Sequence, residues 1–318
     1  MVLNYIFLKS KNGMYYYAEN YLEGTSVYPE KVLGGDFNEG WVRKIYAITL
    51  VYIYNLFKGY FVYTPTIHPL PFLSRQLVVC HDSYPFLGRM GRFKKKMLCL
   101  SLYTSKCKVG YINHSDSKAF VDSLLISDSR KIYLPNLVAE VDALESENKK
   151  NRKYINIALV GTDSDKKRYD FLFESIIYTG KKKFESCKFY LYGSLNDYAK
   201  SIVSRYSECC DLKFIESSSM DLNQFLYDMD MIVSVAKNEG FGRPIAFAIQ
   251  QGLPALLIDD PVFHEFFSDS AYIFESEMEL VNSIMSTLSN HEVKKFPDER
   301  MIEKFNFSKR EFASLCRK

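Results

Sequence analysis

No stretch of eighteen or more apolar residues occurs in the 318-residue chain, so no membrane-spanning helix is expected. The nearest approach, residues 45–57, is interrupted by Thr49 and Asn55 and has the length of one buried core helix. No Cys-x-x-Cys pair occurs among the seven cysteines, Cys80, Cys99, Cys107, Cys187, Cys209, Cys210 and Cys316. Their odd, scattered count and the lack of a secretory leader predict reduced thiols and a cytoplasmic location. The five histidines (His68, His81, His114, His264, His291) lack the short spacings of metal ligands. Strong charge is missing too: a net +3 with a pI near 8.3 gives no argument for nucleic acid. What remains, 47% hydrophobic and 25% charged residues, suits a globular enzyme of two domains. The 24 Tyr and 24 Phe are mostly needed to fill its cores.

The segment 231–260 is the most informative. Met231-Ile-Val-Ser-Val235 reads as a buried strand, and Ala255-Leu-Leu-Ile258 as the next one. Between them Pro244 to Gln251 predicts a helix: proline suits the first turn, and Gly252 stops it. Asn238-Glu-Gly-Phe-Gly-Arg243 is then the strand-to-helix turn of a βαβ unit. Backbone N–H groups converge there on a helix N-terminus, where an anion such as a diphosphate docks. A lone Gly-x-Gly turn is weak evidence, because such junctions often need glycine for positive φ alone.

Elsewhere, apolar runs at 3–8, 60–63, 76–80, 107–112, 131–134, 154–160, 189–192 and 212–215 read as strands. Helices are expected at 14–22, 118–125, 222–227 and 301–315, with residues 113–117 supplying N-cap types for the second. Gly13 falls at the first βα turn, either a ligand-side loop or a tight turn that needs glycine. His81-Asp82 lies just past a strand, where open α/β sheets build ligand crevices; capping and an Asx-turn are the plainer roles. Lys166-Lys-Arg168 taken alone is a solvated basic patch. Asp163-Ser-Asp165 and Asp228-Met-Asp230 read as polar loop and strand-flanking acids rather than metal ligands. Arg89, Arg92, Lys94, Lys95 and Lys96 precede Met97-Leu-Cys-Leu100. They form a solvated face of a helix whose apolar face enters the core, or an interfacial helix resting on anionic lipid. Residues 140–152 are charged and nearly devoid of core residues, which marks a linker.

Glu239-Gly-Phe-Gly-Arg-Pro244, continued by Ile258-Asp-Asp-Pro-Val-Phe-His-Glu265, resembles the donor-site signature of retaining GT-B glycosyltransferases of family 4, the glycosyl transferases group 1 type. Gly161, Lys166 and Lys167 fall on that family's Gly and following Arg-Lys positions, and Pro135-Asn136 resembles the close of its first domain. The resemblance implies an α/β GT-B fold: two Rossmann-like domains with parallel sheets facing across a cleft. Residues 1–145 would be the acceptor-side domain, 146–153 the linker and 154–318 the donor domain, the last helix being able to pack back on the first. Gly161, Lys166, Lys167, Glu239, Gly240, Phe241, Gly242, Arg243, Pro244 and position 247 would bind the donor. Lys167, helped by Lys166, would stabilise the leaving diphosphate, Glu239 would hold sugar hydroxyls, and His81 would face the sugar. Gly13 and Asp82 would lie on the acceptor side, and Ser217–Ser219 would border the base.

The implied reaction moves a hexose from a nucleotide sugar to a saccharide or lipid-linked saccharide, in bacterial surface polysaccharide synthesis. It implies no cofactor, no obligatory metal and no nucleic acid, with peripheral contact to an anionic membrane at its inner face as an option. One position departs from the pattern: Phe247 stands where the family has a Glu that binds ribose hydroxyls. The alternative is therefore a non-catalytic GT-B subunit or carbohydrate-binding partner of another glycosyltransferase. An epimerase or phosphorylase on the same fold is a third.

Overall fold

The computed structural model describes residues 2–4, 13–23, 29–30, 48–50, 52–53, 57, 59, 61–136, 153–289 and 296–317. The chain divides into two compact units, Met1–Leu137 with Glu299–Lys318, and Val138–Asp298.

The first unit holds β1 (Val2–Asn4), α1 (Gly13–Glu23), β2 (Pro29–Glu30), β3 (Phe61–Thr64) and β4 (Gln76–Cys80). It continues with α2 (Gly91–Ser105), β5 (Lys108–Tyr111), α3 (Ser117–Asp122) and β6 (Lys131–Tyr133). Its strands are all parallel, in the order β2-β1-β3-β4-β5-β6. Every residue of β3 and β4 is buried, as expected for parallel strands covered on both faces. Tyr17 and Tyr21 of α1 are fully buried, and their hydroxyls donate to the carbonyls of Leu134 and Pro135. These bonds satisfy the polar end of each ring, so much of the tyrosine content serves as core. The C-terminal helix, Glu299–Arg317, belongs to this unit: Phe312 packs edge-on against Tyr21 and Tyr63 at 5.5 and 5.0 Å.

In the segment 45–57 the described residues are helical, but Ile53 and Phe57 are 44% and 79% exposed, so this is not a wholly buried helix. Its apolar composition concealed that one side faces solvent. Tyr52 anchors the other side, donating to the Pro71 carbonyl at 2.5 Å. The strand expected at 3–8 is described only to Asn4, and the linker expected at 146–153 falls outside the described residues up to 152.

The second unit opens with β7 (Ile155–Val160), α4 (Tyr169–Thr179), β8 (Cys187–Gly193), α5 (Asp197–Tyr206), β9 (Leu212–Glu216) and α6 (Leu222–Tyr227). Then come β10 (Met231–Ser234), α7 (Arg243–Gln250), β11 (Ala255–Ile258), α8 (Pro261–Phe267), β12 (Tyr272–Phe274) and α9 (Glu277–Ser289). The sheet is again all parallel, ordered β12-β11-β10-β7-β8-β9. Read from β9, that is the doubly wound order whose direction of travel reverses between β7 and β10. Open α/β sheets bind ligands beyond the carboxyl ends of the strands at that reversal.

The helix after β10 ends as its sequence suggests. Gly252 has φ +76°, its N–H donates to Ile249 O at 2.9 Å, and the Leu253 N–H donates to Ala248 O at 2.9 Å. This is the paired hydrogen bonding of a Schellman motif. The N-cap of α6 is Asp221, whose side chain accepts from Gln224 N at 3.0 Å, while Ser219 turns back to the Glu216 carbonyl. Asp221 sits directly before the first helical residue, and Ser217–Ser219 lie two to four residues before Asp221. The acids of Asp228-Met-Asp230 tie β10 to β7, since the Asp230 carboxylate accepts from Asn156 N at 2.7 Å and the Asp228 carbonyl from the Asn156 amide at 3.0 Å.

Candidate active site

Two loops leave the sheet at the β7/β10 reversal. The first runs from Gly161 through a 3₁₀ turn, Asp165–Lys167; the second covers 235–242 and leads into α7. A backbone bond from Lys237 N to Lys166 O, 3.1 Å, joins them. Lys167 Nζ lies 2.7 Å from Glu239 Oε1, and Lys166 Nζ lies 3.6 Å from Glu239 Oε2. All three side chains are mostly withdrawn from water, with 10–13% exposure. Burial is the largest influence on the Glu239 carboxyl and opposes its ionisation. The charges and hydrogen bonds of Lys167 and Lys166 together outweigh it, so the group is held below the usual carboxylate range. The cluster carries two cations to one anion, and only one of Lys167's three N–H donors is needed for Glu239.

Glycines make this cluster possible. Gly161 has φ +102°, and a Cβ there would stand 2.7 Å from Lys167 Cε and 3.1 Å from its Nζ. The lysine tail thus occupies the volume that any other residue would fill. Gly242 caps α7 with φ +93°, and its Cβ would stand 2.9 Å from Ile245 Cδ1. Phe241, between Gly240 and Gly242, is 3% exposed, its ring edge-on to Phe266 at 4.8 Å. Its side chain is therefore an anchor for the turn, and only its backbone is placed to meet a ligand.

Asp260 clamps this turn from the next loop. One carboxylate oxygen accepts from Asn238 N at 2.9 Å, and the other caps α8 by accepting from Val262 N at 2.9 Å. That lets Asn238 hold φ +58°. Lys237 donates from its ammonium to the Asp259 carbonyl, and His264 meets the Asp259 carboxylate at 2.7 Å. Neither the Lys237 bond nor the Asp260 bond to Asn238 follows from sequence spacing, because each crosses from one βα loop to the next. Arg168 leaves the group of three cations: its backbone is left-handed, φ +53°, and its guanidinium pairs with Glu277 at 2.6 Å.

Arg243 and Phe247 lie one turn apart on α7, the guanidinium carbon 5.9 Å from the ring centre. Pro244 is in the first turn, so its missing N–H costs no helical bond. The other candidate residues belong to the first unit. Gly13 opens α1. His81 and Asp82 follow β4, with His81 edge-on to Tyr17 at 4.6 Å. Their loop is organised by a residue that the sequence did not single out: the Asp116 carboxylate accepts from Ser83 N at 2.7 Å and Ser83 Oγ at 2.6 Å. Among the described residues no group of three metal-ligating side chains forms, and no helix is long and apolar enough to cross a membrane.

Residues 140–304, more than half of the chain, match the family model of glycosyl transferases group 1. The chain belongs to that family. This glycosyltransferase has the GT-B fold of several solved structures. The structure of Anabaena HepE in complex with UDP and glucose shares 13% identity over 99% of this chain and 94% of its own, with a TM-score of 0.69. WaaG, a glycosyltransferase involved in lipopolysaccharide biosynthesis, shares 12% identity over 99% and 95%, with a TM-score of 0.65. A mutant of S. aureus TarM, solved with Fondaparinux, alpha-GlcNAc-glycerol and UDP, shares 15% over 85% of this chain, with a TM-score of 0.58. The chain spans 55% of the length of TarM. A comparison with curated protein sequences found no match.

Proposed function

We propose that this glycosyltransferase moves a hexose, with retention of anomeric configuration, from a nucleotide diphosphate sugar to a saccharide or lipid-linked saccharide in bacterial surface polysaccharide synthesis. The observation that carries the reading is the Lys166–Lys167–Glu239 cluster beside the N-terminus of α7 at the reversal point of a doubly wound sheet. HepE and WaaG, which resemble the chain over its whole length, support it through the UDP-sugar and lipopolysaccharide roles named for them.

In this reading the diphosphate lies against Gly240–Gly242 and the first turn of α7, where backbone N–H groups and the helix dipole favour an anion. As the bond from the sugar to the diphosphate breaks, negative charge grows on the leaving phosphate. Lys167 and Lys166 meet that charge already oriented, in a site largely closed to water, so little reorganisation is needed. Glu239 holds the lysines in place and accepts from sugar hydroxyls. The acceptor oxygen then bonds to the anomeric carbon on the face the diphosphate leaves, and its proton passes to the departing phosphate oxygen. Neutralisation by two lysines and a helix terminus makes a metal ion unnecessary.

Phe247 sets the test. Phe247→Glu is expected to tighten binding of the ribonucleoside diphosphate about 10-fold, as a carboxylate gains a hydroxyl hydrogen bond. Calorimetry checks this, with inorganic pyrophosphate as the control ligand whose affinity should not improve. Weaker nucleotide binding would place the ribose elsewhere. NMR of the disaccharide linkage decides retention: an inverted anomeric centre would overturn the proposed stereochemistry.

A further inference from the structure

Helix α2 has two apolar sides. Leu98 and Leu102 are buried against the sheet of the first unit, and Gly91 and Ser105 are buried too. On the other side Phe93, Met97 and Leu100 recur at steps of four and three residues, so they share one face, and they are 57%, 48% and 56% exposed. Leu87 and Met90, 61% and 58% exposed, extend the stripe past the helix start, and Tyr103 extends it toward the end. The basic cluster flanks it, with Arg92 and Lys96 on one side and Lys94 on the other; all three are exposed, as is Arg89. None of these cations is paired with a carboxylate among the described residues; Lys94 and Lys95 instead reach the Pro85 carbonyl and Ser123 hydroxyl. From residue 83 to residue 115 the sequence contains no acid at all.

We infer that this face of α2 is a docking surface for an anionic lipid bilayer. Sequence periodicity assigns the apolar residues of such a helix to the core, yet here one set fills the core and a second set remains in water. Side chains of this kind insert at the headgroup boundary while flanking cations meet lipid phosphates. Charge decides between occupants. Two copies packed face to face would bring unpaired cations together with no acid on the patch to offset them. A nucleic acid would satisfy the cations but leave Phe93, Met97 and Leu100 without partners. Only an anionic bilayer satisfies both.

The full-length chain is tested by flotation with vesicles of phosphatidylcholine alone and of phosphatidylcholine with phosphatidylglycerol. Binding is expected to the second and not the first, weakening as salt is raised. Replacing Arg92, Lys94 and Lys96 together by Gln should lower partitioning on the order of 100-fold, at about fivefold per charge. Phe93→Ser, Met97→Ser and Leu100→Ser together should lower it at least about 10-fold. Both triple variants alter exposed residues in the first unit, so Tm and nucleotide binding should stay at wild-type values. Equal binding to neutral vesicles, no binding, or variants that float as well as wild type would overturn the inference. So would a concentration-dependent dimer that the serine variant abolishes, which would give the face to a second copy.

Discussion

Lys167→Ala is expected to lower kcat about 100- to 1000-fold, the usual loss when one preorganised charge is removed from a developing anion. The geometry gives the reason. The ammonium is 2.7 Å from Glu239, its side chain is 13% exposed, and two of its N–H donors are available for a phosphate. Removing it does not orphan Glu239, because Lys166 remains 3.6 Å from the other carboxylate oxygen. The stability loss should thus stay below the roughly 3–5 kcal/mol that follows a fully unpaired buried charge. Lys167→Arg should recover part of the rate, since charge is kept while the hydrogen-bond geometry changes. Steady-state kinetics beside a thermal unfolding curve separates the two effects. An unchanged kcat would remove Lys167 from the chemistry.

Gly161→Ala should damage the same site without touching a charged residue. The new methyl group would stand 2.7 Å from Lys167 Cε at a backbone φ of +102°. The flexible lysine tail must move, carrying its ammonium from Glu239, and the backbone strain costs about 1–2 kcal/mol. We expect kcat to fall at least about 10-fold, at the scale where a misplaced group costs up to about 100-fold. Because the effect passes through Lys167, Gly161→Ala should cost little further rate in a Lys167→Ala background. Rate losses that simply multiply would mean that Gly161 acts through another contact. The unfolding temperature should drop in both backgrounds, since strain does not depend on the lysine.

The β10–α7–β11 unit was readable in the sequence because its signals are local: unbroken apolar runs for buried parallel strands, proline in the first turn, glycine just past the last. The Lys166–Lys167–Glu239 cluster was legible only as a resemblance, because its members are 72 residues apart and meet through the pairing of β7 with β10. Asp260 illustrates the limit. Its cap on Val262 is legible from its place directly before Pro261 at a helix start, but its bond back to Asn238, 22 residues earlier, is not. Arg168 shows the opposite failure, since three consecutive cations look equivalent until a left-handed backbone turns the third toward Glu277. For α2 and the segment 45–57 hydrophobicity was visible, but which side faces water depends on neighbours that periodicity does not encode.

The decisive measurement is isothermal titration calorimetry of the wild-type chain and Lys167→Ala with UDP, GDP, ADP and dTDP, each with and without EDTA. The expected result is that at least one diphosphate binds the wild type with the same Kd in EDTA, and that the variant binds it more weakly. Binding of none of the four, or binding that appears only when a divalent metal is supplied, would contradict a lysine-neutralised donor site at the β7/β10 reversal.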